Sequence, residues 1–131
     1  MKHHRTTAAA LAAVAALAAL TACSSSDDDK PAANVPAYKI TQQDDSGNQR
    51  NVSVEVTSTK DLRAVFDDVA AKLTDPAGYF VSINCATGGT GKVDNRLANG
   101  RKAVGNIGAA STGLDDGQTD YKANTGRTCP A

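Results

Sequence analysis

The chain has 131 residues, with 14 Lys and Arg against 14 Asp and Glu, three cysteines and no tryptophan, enough for one domain of ordinary size. The balance is uneven: Lys2, His3, His4 and Arg5 precede Cys23 and no carboxylate does, so from Cys23 onward 12 basic side chains face 14 acidic ones and the net charge is −2. A nearly neutral chain without a cluster of cations lacks the electrostatic footprint of a nucleic-acid binder, and one without a histidine after its fourth residue lacks the usual base of serine and cysteine hydrolases.

Residues 1–22 read as an export signal: the cationic start MKHHR, the apolar run TTAAALAAVAALAAL from Thr6 to Leu20, then small residues. Fifteen residues of helix rise only about 22 Å, short of a bilayer core of roughly 30 Å, so a permanent span is the weaker reading. Directly behind the run stands Leu20-Thr21-Ala22-Cys23. This stretch resembles the lipobox of bacterial prolipoproteins, an aliphatic residue and two small ones before a cysteine, with the charged start and apolar run in the order that family shows. The resemblance covers the first 23 residues. It implies that Cys23 receives a diacylglycerol thioether, that cleavage follows between Ala22 and Cys23, and that the new amino terminus is acylated with a fatty acid of the palmitate type. The chain is then expected on the outer face of the bacterial cell membrane, held by the lipid on Cys23. Each buried methylene contributes about 0.8 kcal/mol, and two chains anchor a protein where one is marginal.

Residues 23–37 form the anchor site and a tether. The stretch SSSDDDKPAANVPA, Ser24 to Ala37, is poor in large apolar side chains and carries Pro31 and Pro36, so it cannot bury enough surface to fold. Its three aspartates either hold it away from an anionic membrane or simply keep it soluble.

A single extracytoplasmic domain, 38–131, is expected to follow. YKITQ and VSVEV alternate as half-buried strands do, with Val52, Val54 and Val56 on one face, and DDSGN between them supplies a hairpin turn with Gly47 free to take positive φ. The segment STKDLRAVFDDVAAKLTDPAG predicts an amphipathic helix. Ser58 is its candidate N-cap, with Asp61 three residues on, and Leu62, Val65, Phe66, Val69, Ala70 and Leu73 form its apolar stripe. Arg63 with Asp67, and Asp68 with Lys72, stand four apart on the wet side, and Asp75-Pro76 and Gly78 end the element. YFVSINC then alternates Tyr79, Val81, Ile83 and Cys85 against Phe80, Ser82 and Asn84, a third strand.

From Ala86 the pattern fades, because this part holds most of the chain's 11 glycines. LANGRKAV offers an Asn99-Gly100 turn between short strands, and TDYKA is a further candidate strand. The fold class expected is α+β, a small antiparallel or mixed sheet packed on one helix, with a C-terminal third stapled by a disulfide.

That disulfide joins Cys85 and Cys129, the even pair left once Cys23 is assigned to lipid; outside the cytoplasm such a pair in a small domain is structural, and no C-x-x-C spacing suggests redox work. TGGTGKV, Thr87 to Val93, lacks the first glycine and the hydroxyl residue of a phosphate-binding loop, so a plain loop is favoured. LDDGQTD, with Asp115, Asp116 and Asp120, lacks the ligand spacing of an EF-hand and reads as a solvated turn. No metal site and no cofactor is expected. Two functions remain open. One is a binding module for an envelope protein or glycan, with its site in the glycine-rich stretch from Ala86 to Asp120. The other is a small carboxylate enzyme such as a glycan hydrolase, using Asp94, Asp115, Asp116 and Asp120. With two Phe, three Tyr and no Trp the chain has little material for the aromatic cleft such an enzyme needs, so the binding module is the expectation and an enzyme is not.

Overall fold

The computed structural model describes residues 34–87 and 95–129. The export signal, Cys23 and the tether up to residue 33 lie outside the described residues, as do residues 88–94, Asp94 included. Five strands, β1 (Tyr38–Gln43), β2 (Gln49–Val56), β3 (Ala77–Cys85), β4 (Arg96–Val104) and β5 (Thr119–Ala123), form one sheet in the order β1-β2-β3-β4-β5. Helix α1 (Leu62–Lys72) connects β2 to β3, which run parallel; the other three pairings are antiparallel. The result is a mixed α+β sheet, as the alternating strand patterns and the helix stripe imply.

The hairpin forms where DDSGN stands. Gly47 takes φ 85°, and the Asp44 carboxylate accepts hydrogen bonds from the Asn51 backbone N–H at 2.9 Å and the Asn51 side-chain amide at 3.1 Å. On one face of the sheet Val52, Val54, Val56, Tyr79, Val81 and Ile83 meet the stripe of α1, in which Leu62, Val65, Phe66, Val69, Ala70 and the following Leu73 are all buried. Both four-apart ion pairs form on the outer side of the helix, Arg63 with Asp67 at 2.9 Å and Lys72 with Asp68 at 2.8 Å.

The helix start differs from the expected one. Ser58 Oγ accepts the Lys60 N–H within a local turn, so it is spent before the helix begins. Asp61 stands at the N-cap instead, at φ 53° and without a side-chain cap, and its carbonyl receives the Ala64 and Val65 N–H groups. A left-handed conformation is one that Asp tolerates better than most residues. At the other end Lys102 reaches from β4 to donate to the Ala70 carbonyl at 2.6 Å, placing a cation at the negative pole of the helix.

Two features after Ala86 also depart from the sequence reading. Asn99-Gly100 is not a turn: it lies inside the nine-residue β4, which pairs with β3 on one side and β5 on the other. Gly100 sits beneath Phe66, whose ring occupies the space a Cβ would need, so glycine here serves close packing rather than chain reversal. A second helix, α2 (Gly105–Thr112), follows β4. Its Gly108 lies against the Ala77 carbonyl and the Ala103 backbone, an approach only glycine permits. The sheet is therefore packed on two helices, not one. TDYKA does form a strand, β5, and Cys85 and Cys129 form the expected disulfide, with Cα atoms 5.4 Å apart across a separation of 44 residues.

Candidate functional site

Helix α1 covers one face of the sheet. On the other face α2 covers only one end: Gly78 meets Ser111 and Thr112, and Arg101 Nη1 donates to the Thr112 carbonyl at 2.9 Å. The rest of that face carries a cavity of about 580 Å³, within the usual range for ligand sites. Strand alternation decides what lines it, since residues two apart share a face. β2 presents Gln49 and Asn51, and β3 presents Phe80 and Ser82. β4 contributes Arg96, Asn99 and Arg101, and β5 contributes Asp120 and Lys122.

The cross-strand register sets the neighbours: Arg101 lies opposite Asp120 and Asn99 opposite Lys122, while a shift in the β3–β4 register brings Arg96 opposite Asn84. Arg101 Nη2 and Asp120 form an ion pair at 2.6 Å. Neither Arg96 Nε nor Asn84 Oδ1 finds a hydrogen-bond partner among the described residues, although both are shielded from solvent. The cavity lining thus holds three cations and one carboxylate, already engaged, in a chain that is slightly acidic from Cys23 onward. A second depression, lined by Arg96, Asn99, Lys122 and Arg127 among others, continues the first toward the C-terminal segment.

This site is not a glycine-rich loop. Five of its residues, Arg96, Asn99, Gly100, Arg101 and Asp120, come from the stretch Ala86 to Asp120, but as members of paired strands; among the described glycines of that stretch, Gly100 and Gly108 serve strand and helix packing. The proposed acids do not converge on it. Asp94 lies outside the described residues, Asp120 is held by Arg101, and Asp116 Oδ1 accepts the Gly105 N–H at the start of α2 at 2.6 Å. Asp115 and Asp116 are exposed at the turn, and among the described residues no group of three or more His, Cys, Asp or Glu is placed to hold a metal. Of the polar residues in the lining, Ser82 was legible as the polar position of a strand and Asn99 only as part of a turn. Arg96, Arg101 and Lys122 follow no common alternation in the sequence, so no periodic signal marked the face.

A different cluster marks the point where the tether joins the fold. Tyr38 donates its hydroxyl hydrogen to Asp68 and accepts a hydrogen bond from Lys72, beside a depression lined by Val35, Pro36 and Ala37. The Lys72 ammonium first, and the Tyr38 hydroxyl second, hold the Asp68 carboxyl below its ordinary 3.8. Burial, then the Asp68 carboxylate, pushes the Tyr38 hydroxyl above its ordinary 10.0. A carboxyl whose pKa is lowered on folding stabilises the fold above its ordinary pKa, and that contribution disappears as pH falls from there through the lowered value; a raised tyrosine contributes below its ordinary pKa and is lost as pH rises past it. Asp68→Asn is therefore expected to flatten the acid limb of the stability curve, read by thermal melts between about pH 2 and 5. A variant with an unchanged acid limb would show that the cluster does not stabilise the junction.

No protein-family model matches the chain, and neither a curated protein nor a solved structure matches it.

Proposed function

We propose that this chain is a membrane-anchored extracytoplasmic lipoprotein and that its folded domain is a binding module whose ligand lies on the open face of the sheet. The observation that carries the binding reading is the cavity of about 580 Å³ between β2 and β5, lined by amides, a hydroxyl, one ring and a surplus of cations. Four strands converge on it, so its side chains stand on a rigid scaffold rather than on loops. The anchor rests on LTAC behind an apolar run too short to span a bilayer. A disulfide between Cys85 and Cys129 suits the oxidising side of a membrane.

The topology makes anchoring and binding compatible. The tether enters at Tyr38, the first residue of β1, and β1 is the one strand that lends no residue to the cavity. The described chain therefore enters the sheet at the edge opposite β5, away from the strands that line the cavity. Of the described acids among the candidates, only Asp120 lines the cavity, where it is paired with Arg101, while Asp116 accepts the Gly105 N–H at the start of α2, so no two of them face each other across the site.

Cys23→Ser tests the anchor, since serine offers no thioether. The expected result is release of the protein from the membrane fraction, or accumulation of the uncleaved chain, with the mass of the wild type exceeding that of its polypeptide by the lipid. A wild type that carries no lipid and still sediments with membranes contradicts the anchor.

A further inference from the structure

We propose that the open face takes a linear acidic polysaccharide whose sugar units carry carboxylates; this rests on that face being the ligand site. Three observations define the ligand. The first is the layout of charge. Arg101, the Asn99–Lys122 pair and Arg96 follow one another along β4, and the five residue steps from 96 to 101 span about 17 Å at ~3.3 Å each. A single small anion cannot reach both ends of such a row, whereas an extended chain with an anionic group in each unit can.

The second is the state of those cations. On the face under α1 the strand cations are matched: Arg50 meets Asp75 and Lys102 meets the Ala70 carbonyl. Of the three cations that line the cavity, Arg101 alone is matched in this way among the described residues, by Asp120. Arg96 Nε is shielded and without a partner among the described residues. The Arg96 guanidinium lines the cavity with no ion pair holding it among the described residues, so its outer nitrogens can turn to an incoming anionic oxygen. A guanidinium also presents its donors as a planar fork that suits a carboxylate.

The third is what lies between the charges. Asn51, Asn99 and Ser82 offer donors and acceptors for hydroxyls, and the half-buried Phe80 ring offers an apolar surface on which the carbon face of a sugar ring can rest. A polyol phosphate would satisfy the cations but bring no ring to Phe80, and an uncharged glycan would use the ring and the amides but leave the cations unmet.

The test uses the full chain purified from membranes in detergent, with alginate as the linear polyuronate, dextran as the uncharged polysaccharide and poly(glycerol phosphate) as the polyanion without rings. Alginate is expected to bind, more weakly as salt rises. The Arg96→Gln, Lys122→Gln double variant is expected to lose about ten-fold or more in affinity, since each charged contact is worth more than a neutral one, with an unchanged melting temperature. Phe80→Ala is expected to weaken alginate binding and leave poly(glycerol phosphate) binding, where present, unchanged. Dextran binding as tightly as alginate, with Phe80→Ala weakening both, would overturn the acidic class while leaving the face as the site. Poly(glycerol phosphate) binding as tightly as alginate would overturn the requirement for sugar rings. Absence of alginate binding overturns the proposal. Alginate binding unaffected by either variant overturns the proposal and the choice of face together.

Discussion

Phe66→Ala is expected to cost about 3–5 kcal/mol of stability, as truncation of a fully buried aromatic does. The ring is wholly buried, covers Gly100 in β4 and packs against the Tyr121 ring of β5 at 5.4 Å between centroids. It therefore joins α1 to the two strands that the sequence leaves least defined. The same contact can be attacked from the sheet side: Gly100→Ala puts a methyl group into the space the ring holds, and such overpacking costs about 1–3 kcal/mol. Because the two changes act at one contact, the double variant should be less destabilised than the sum of the single ones, the signature of directly coupled residues. Chemical denaturation of the three variants reads this. Strict additivity would mean that Phe66 and Gly100 do not meet.

Opening the Cys85–Cys129 bridge, by reductant or by Cys129→Ser, should cost about 2–5 kcal/mol, because the bond closes a long loop and thereby restricts the unfolded chain. The structure also indicates where the loosening begins. β4 is held between β3 and β5, and α2 is packed on the start of β3, so neither depends on the bridge for its place. The segment after β5 does: beyond Asn124, whose N–H and side-chain amide bond to the carbonyls of Leu97 and Arg96, the bridge at Cys129 supplies the covalent attachment. Hydrogen exchange on the reduced protein should show protection lost first between Asn124 and Cys129, and retained in β4. Early loss throughout β4 would mean that the bridge, not strand pairing, orders the C-terminal third.

The strands and helix up to Cys85 were legible because each carries its own period: Val52, Val54 and Val56 alternate, and Leu62, Val65, Phe66, Val69, Ala70 and Leu73 recur at helical spacing. β4 was not, because its glycine answers to a residue far away in the chain. Asn99-Gly100 has the local chemistry of a turn, and only the Phe66 ring above it explains why it is a strand. α2 was hidden for a related reason. GNIGAAST has no apolar stripe, and it is fixed by the close approach of Gly108 to β3 and β4 rather than by burial of large side chains.

The candidate site was illegible on different grounds. Asn51, Ser82 and Asn99 look like any solvated strand face until the sheet is assembled and the face is seen to lack a helix along most of its length. Arg96 stands out of step with Asn99 and Arg101 in an alternating count, and the register shift between Ile83 and Asn84 is what brings it onto that face. The carboxylates were the opposite case: Asp116 and Asp120 stand close in the sequence but take separate partners in the fold.

Amide chemical-shift mapping of the full chain in detergent, titrated with alginate oligomers, addresses the binding face directly. The expected result is that shifts concentrate on Asn51, Phe80, Ser82, Asn99 and Lys122, with Tyr38, Asp68 and Lys72 unmoved on the tether side. Shifts confined to the α1 surface or to the tether junction would contradict a binding module that works through the open face of its sheet.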